Sequence, residues 1–222
     1  ADAVLEQNPA PIYCLNEIVH NRQVVRSLQH KGIVFVSRLE DVPKGHVVMF
    51  SAHGVSPEVR AEAKRRRLKV IDATCPFVSK VHAEVRRYAK QGFTVFLIGK
   101  RGHDEIVGVA GEAPDHVVVI DNPREAEATP VADPERVAAV TQTTLSVRET
   151  GKVMDILRRR FPALKTPPAS DVCYATTNRQ KAVETVARKS DLVLVLGSKN
   201  SSNTQRLVET AAAAGVPVNL IA

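Results

Sequence analysis

Short β-branched runs alternate along this chain with stretches of helical periodicity. Gly32–Val36, His46–Phe50, Phe93–Ile98, His116–Ile120, Val137–Val140 and Asp191–Leu196 are almost unbroken apolar segments. Strands of that kind are expected to be covered on both faces, which calls for parallel sheets with helical crossovers and an α/β fold. The helix signals fall between them. Pro76 suits a first helical position, Val78, Val81, Val85 and Tyr88 recur at three- and four-residue steps, and Gly92 stands where a left-handed cap ends the helix. Ser146-Val-Arg-Glu149 reads as a capping box opening a helix that runs to about Arg160. The clusters Arg65–Arg67 and Arg158–Arg160 fall in last turns, where cations oppose the helix dipole, and read as solvated helix ends.

Spacing reveals an internal repeat. Cys75 precedes Gly99 by 24 residues and Cys173 precedes Gly197 by 24; four residues past each glycine stand His103 with Glu105, and Ser201 with Asn203. Both intervals read cysteine, helix, strand, glycine. A further copy aligns the strand Ile12–Leu15 and His20 with the strand ending at Ile98 and His103, so its cysteine is expected upstream of residue 1. Cys14 lies inside that strand, out of register. Each copy has a second half: His46–Phe50 runs into Ser51-Ala-His53-Gly-Val-Ser56, and Val137–Val140 into Thr141-Gln-Thr143-Thr-Leu-Ser146. The third copy's counterpart is expected beyond Ala222. The pattern predicts three α/β units, 1–75, 76–172 and 173–222, the first and third incomplete, related by a pseudo-threefold axis around one central site. In parallel sheets the carboxyl ends of strands receive ligands, and helix N-termini suit phosphate.

Composition narrows the function classes. A chain of 222 residues that is 44% hydrophobic buries a real core, which excludes intrinsic disorder. Its net charge of +7 raises nucleic acid, anionic lipid or a phosphorylated small molecule as partners. Aromatic residues make up only 4%, with no Trp, so the stacking platforms of single-strand binders are scarce and no nucleic-acid partner is expected. The sequence has no run of about 18 uncharged apolar residues and no signal-peptide pattern, so the expected location is the cytoplasm, away from any membrane. Three scattered cysteines with no CxxC pair do not make a disulfide framework.

Three thiolates converging from three units would suit a soft metal centre, either an iron–sulfur cluster with one open iron or a zinc ion with a bound water. The imidazole, hydroxyl and amide groups of His20, His53, His103, Thr143, Thr144, Ser201, Ser202 and Asn203 could hold a diphosphate by hydrogen bonds. Glu105 is the one carboxylate in that recurring set and a candidate proton donor, with Thr143 placed to relay a proton or orient a hydroxyl. Two other readings stay open: a zinc-dependent hydrolase or structural zinc protein, and a basic RNA-binding module.

Seven ordered runs then carry a resemblance across nearly the whole chain: Glu17-Ile-Val-His-Asn-Arg22, Phe50-Ser-Ala-His-Gly-Val-Ser56, Asp72-Ala-Thr-Cys-Pro76, Gly102-His-Asp-Glu105, Thr141-Gln-Thr-Thr-Leu-Ser146, Cys173-Tyr-Ala-Thr-Thr-Asn-Arg-Gln180 and Gly197-Ser-Lys-Asn-Ser-Ser-Asn203. The chain resembles the 4-hydroxy-3-methylbut-2-enyl diphosphate reductases. That resemblance implies a trefoil of three α/β domains around an oxygen-sensitive 4Fe-4S cluster. The implied reaction is the last step of the methylerythritol phosphate route to isoprenoids, reductive loss of the C4 hydroxyl to give isopentenyl and dimethylallyl diphosphate. Electrons would come from a ferredoxin or flavodoxin. Carried over residue by residue, Cys75 and Cys173 match two of three cluster ligands, the third falling upstream of residue 1. His20, His53, His103, Thr143, Ser201, Ser202 and Asn203 match substrate-binding positions, and Glu105 matches the proton-delivering acid. Asp104 stands where many members have Pro, a departure expected to lie outside the functional side chains.

Overall fold

The computed structural model describes residues 1–222, the side chain of Val147 excepted. A short helix α1 (Asp2–Gln7) precedes β1 (Ile12–Leu15), α2 (Arg22–His30), β2 (Ile33–Val36), a 3-10 turn at Leu39–Asp41, β3 (Val47–Phe50), α3 (Pro57–Arg65) and β4 (Lys69–Asp72). These strands form one sheet in the order β2-β1-β3-β4. Next come α4 (Pro76–Lys90), β5 (Thr94–Ile98), α5 (Asp104–Ala110), β6 (Val117–Ile120), α6 (Pro123–Ala128), β7 (Val137–Thr141) and α7 (Val147–Arg160). Their sheet has the order β6-β5-β7, and a single bridge from Ala138 to Lys165 stands where β4 stands in the first sheet. A third sheet pairs β8 (Val193–Leu196) with β9 (Val218–Ile221), flanked by α8 (Tyr174–Ala187) and α9 (Ser202–Ala213). Every strand pair is parallel. The chain is therefore α/β throughout, and β2-β1-β3 recurs as β6-β5-β7.

The second sheet is packed on both sides, as its unbroken apolar strands require. Phe96, Ile98 and Ile120 meet Leu145, Leu157 and Phe161 on one face, while Val95, Leu97 and Val140 meet Val81, Val85 and Tyr88 on the other. The third sheet differs from expectation. Val193 and Val195 are buried against Ala187 and Ala211, but Leu194 is 52% and Leu196 76% exposed. The sheet thus has one covered face, and the apolar run of β8 does not mean two.

Helix starts follow the side-chain caps. Ser56, Asn122, Ser146 and Ser201 each accept a hydrogen bond from the amide three residues on. In the predicted capping box the Ser146 hydroxyl takes the Glu149 N–H at 3.0 Å and donates to that carboxylate at 3.2 Å. The first copy departs by one residue: α2 is capped by Asn21, whose Oδ1 accepts from both Gln23 and Val24, so His20 stands before the cap. Asn is the stronger cap and wins the position. Two of the basic clusters also do more than sit in solvent. Arg66 donates to the carbonyls of Glu40 and Val42, and Arg160 to those of Ala126 and Thr129, closing the ends of neighbouring elements.

One close approach recurs. A β-carbon on Gly99 would stand 2.2 Å from Cδ1 of Ile106, and one on Gly197 would stand 2.3 Å from Oγ1 of Thr204. In both copies the helix after the strand therefore presses its first turn onto the strand end, which only glycine allows.

Candidate functional site

The carboxyl ends of β1, β3 and β5 bring three imidazoles together. The rings of His20 and His53 are stacked, with centroids 4.2 Å apart and planes 21° apart. His103 stands edge-on to both at 5.2 and 5.4 Å. One ring nitrogen from each lies within 4.8 Å of the others. His103 also serves as the N-cap of α5, where Nδ1 accepts the Glu105 amide hydrogen at 3.1 Å. A backbone N–H can only donate, so the neutral ring carries its own hydrogen on Nε2. Burial, reinforced by the charges of His53 and His20, pushes His103 down to about 4; burial and the His20 charge do the same for His53, also to about 4. His103 is therefore fixed as a neutral donor at physiological pH. That geometry suits an anion's oxygen. A metal ion at this nitrogen would require the ring to give up its cap.

Glu105 follows at the second position of α5. Its carboxylate is 1% exposed and is met from below by Thr143, whose amide donates to Oε1 at 2.7 Å and whose hydroxyl donates to Oε2 at 3.0 Å. Burial pushes its pKa up to about 7 against the opposing effect of those two hydrogen bonds. The acid is thus poised near neutrality, two residues past the His103 cap, as proton delivery requires.

The other predicted residues are placed as follows. Ser201 caps α9, accepting the Thr204 amide. Ser202 Oγ and Asn203 Oδ1 are buried with no partner, which leaves two polar atoms free for a ligand. Thr144 is turned toward its own loop, its hydroxyl accepting from Gln142 at 3.1 Å. Cys75 and Cys173 are the N-caps of α4 and α8 with nearly the same backbone, φ −59° and ψ 134° against φ −62° and ψ 136°. Neither sulfur caps its helix, neither first turn holds an acidic residue, and both residues are partly exposed. The two helix starts touch, with the rings of Phe77 and Tyr174 5.5 Å apart. Cys173 N–H donates to the Thr143 carbonyl and Cys75 N–H to the Ala52 carbonyl, so both thiols stand beside the loops that carry Thr143 and His53. Two free sulfurs at amide-rich helix ends fit a thiolate-held metal centre. Cys14 does not belong with them: it is fully buried among Ile12, Leu28, Ile33 and Met49, and burial pushes its thiol up to about 12.

Sequence reasoning missed several participants. Glu105 is not the only carboxylate. Glu17 Oε2 accepts from His20 Nδ1 at 3.1 Å and from Asn200 at 2.9 Å. Burial opposes its ionisation, but those hydrogen bonds outweigh it and hold the carboxyl below its usual range. Asp104 Oδ2 lies 3.8 Å from His53 Nδ1 and 4.0 Å from His20 Nε2, so it faces the cluster and is not outside it. Both contacts join different repeats, which spacing within one repeat cannot reveal. Gln142, fully buried, accepts the Lys100 amide hydrogen and ties the β5 turn to the Thr143 loop. Asp171, by contrast, stands two residues before Cys173, where the sequence already offers it as a residue that fixes the approach to that thiol or serves a turn: it takes the buried Thr141 amide and, with the carbonyls of Ala169 and Ser170, receives the Lys80 ammonium.

A parallel α/β assembly thus gathers imidazole, hydroxyl and amide groups at strand ends beside two free thiols, a donor set whose chemistry suits an anion and a soft metal. Across residues 1–222 the chain matches the model of the family described as LytB protein, and it belongs to that family. It is similar to proteins named 4-hydroxy-3-methylbut-2-enyl diphosphate reductase. The one from Mycobacterium sp. (strain KMS) is 53% identical over 214 residues, 96% of this chain and 64% of that protein. The one from Streptomyces coelicolor is 51% identical over 96% of this chain and 63% of that protein. The chain thus spans just under two thirds of these relatives' length. A solved structure of the E-1-hydroxy-2-methyl-but-2-enyl-4-diphosphate reductase from Plasmodium falciparum superposes with a TM-score of 0.96 at 39% identity, covering 99% of this chain and 69% of that one. No helix among the described residues is long and apolar enough to cross a membrane.

Proposed function

We propose that this chain carries the substrate pocket and the proton-handling groups of a 4-hydroxy-3-methylbut-2-enyl diphosphate reductase. The observation that carries the reading is the fixed Nε2–H of His103, set by its cap on α5, in a cluster with His20 and His53 and next to a buried acid poised near neutrality. The relatives' names support it. A diphosphate would be held by His20, His53 and His103 from the first two units and by Ser201, Ser202 and Asn203 from the third, with Thr144 at the rim. Helix-start amides and neutral donors can hold an anion with few cations, so the +7 charge serves approach more than contact.

The reaction breaks the allylic C4–oxygen bond, takes up two electrons and two protons, and releases water. A 4Fe-4S cluster held by Cys75, Cys173 and a third thiol assigned by the repeat to a position before residue 1 supplies the electrons and an open iron when bound. Glu105 delivers a proton to the departing C4 oxygen, because hydroxide is a poor leaving group and only this acid is both buried and half-protonated near pH 7. Thr143 holds that carboxyl through both its oxygens and orients it. The electron donor is a ferredoxin- or flavodoxin-type protein, and the protein works in the cytoplasm. The test is anaerobic cluster assembly in the full-length enzyme, followed by reductive turnover with a strong one-electron donor. A colourless, zinc-loaded protein, or one that releases no water from the alcohol, overturns the reading.

A further inference from the structure

Asp104 is the first helical residue of α5, and its carboxylate stands within 4.0 Å of a nitrogen on each of the two stacked rings. Local structure does not call for this residue. The helix is already capped by His103, and Asp104 N–H has no backbone or side-chain acceptor. Position N1 accepts proline, and His103 at φ −69° and ψ 139° already has the extended backbone that precedes one. The charge is therefore free to act on the cluster. His20 donates its Nδ1 hydrogen to Glu17, so an incoming anion oxygen is held at Nε2 when the ring carries a second hydrogen there, and Asp104 Oδ2 faces that same nitrogen.

We propose that Asp104 is a specificity-determining residue, an internal anion that competes with phosphoryl oxygens for the His20–His53 pair and weakens the site's hold on a diphosphate. The proposal rests on the anion reading given above and deepens it. A bound phosphoryl oxygen at His20 Nε2 stands a few ångströms from a like charge that is 28% exposed on its side chain. Repulsion at that range in a partly solvated pocket is worth roughly a tenfold change in affinity, and it fades as salt rises. The result is a pocket that releases diphosphates faster than the same donors would without the carboxylate.

The test is calorimetric titration of this chain with inorganic diphosphate at low and at high salt. The forms compared are the unaltered chain, Asp104→Asn, Asp104→Pro and Asp104→Glu. Asn keeps the shape and removes the charge; Pro removes the charge and suits the helix start; Glu restores the charge. The expected result is binding about tenfold tighter for Asn and Pro than for the unaltered chain at low salt, a smaller gap at high salt, and near-original affinity for Glu. A residue that served only as a favourable acid at the start of α5 would change thermal stability without tightening anion binding. Equal or weaker binding by Asn and Pro overturns the role of Asp104 while leaving the diphosphate pocket intact. No binding by any of the four forms overturns the pocket reading together with this one.

Discussion

The stretch from Cys75 to α5 and the stretch from Cys173 to α9 are the same device in different surroundings. In each, a cysteine stands just before a helix, a strand follows, a glycine lets the next helix press onto the strand end, and a side-chain cap stands 28 residues after the cysteine. The cover differs. Helix α4 buries Val78, Val81, Val85 and Tyr88 beneath a sheet packed on both faces, whereas α8 buries Thr176, Gln180 and Ala187 beside a two-stranded sheet open on one. Site geometry is thus set by caps and close approach, and stability by the depth of cover. The chemistry differs as well: two residues past the side-chain cap stands Glu105 in one copy and Asn203 in the other. One is a buried acid locked by Thr143; the other has a buried oxygen with no partner.

Glu105→Gln makes the two copies chemically alike, and it is expected to have the largest effect. The amide keeps the shape: its oxygen accepts from the Thr143 amide and its nitrogen donates to the Thr143 hydroxyl, so the fold and diphosphate binding persist. Turnover in the proposed reaction is expected to fall by about a hundredfold to ten-thousandfold, measured as substrate reduction by the cluster-loaded enzyme. Near-normal turnover would shift the acid role to another group.

The contrast in cover is broken most directly at the last strand residues. Ile98→Ala removes a side chain packed in the second sheet's core and is expected to cost about 2–5 kcal/mol. Leu196→Ala, at the matching and exposed position of β8, is expected to stay within about 0.5 kcal/mol. Denaturant unfolding measures both, and similar costs would mean that β8 is covered in solution.

A smaller effect is expected with pH. Because the folded chain holds the Glu105 proton up to about pH 7 while the unfolded chain releases it near 4.5, this group's contribution is most favourable below pH 4.5. It declines as pH rises to about 7 and is constant above that, by at most about 3 kcal/mol in all. Glu105→Gln is expected to flatten that window. An unaltered slope would place the carboxyl in contact with water. Smallest of the four is the difference between the glycines. Gly99→Ala and Gly197→Ala are each expected to cost about 1–3 kcal/mol. Gly99 is expected to cost more, because two residues, Ile106 and Gln142, would have to give way there, while at Gly197 the near atoms all belong to Thr204.

The periodicity and caps made most elements legible, and the 24-residue spacing exposed the repeat before any coordinates. What stayed hidden has physical causes. Strand β4 is a four-residue edge whose residues are mostly exposed, so no apolar run marks it. The start of α2 depended on a competition between His20 and Asn21 that spacing cannot weigh. Asp104 enters the cluster by reaching across units, Glu17 is tied to Asn200 of the third unit as well as to His20 beside it, and Thr143 meets Glu105 from 38 residues away. Sequence spacing showed which groups recur, but not which of them oppose each other.

The three units also close on themselves. Asp104 of the second unit faces His53 of the first; Glu149 of the second unit pairs with Arg206 of the third; and the Arg22 amide of the first unit donates to Ser198 of the third, where Asn200 also reaches Glu17. A closed ring breathes differently from a row of beads. Parting any one seam is expected to loosen the support of the other two, so that the three sheets open together. In hydrogen exchange the amides of Arg22 and Cys173, though far apart in sequence, are expected to lose protection in the same opening, and an anion at the centre to slow both together.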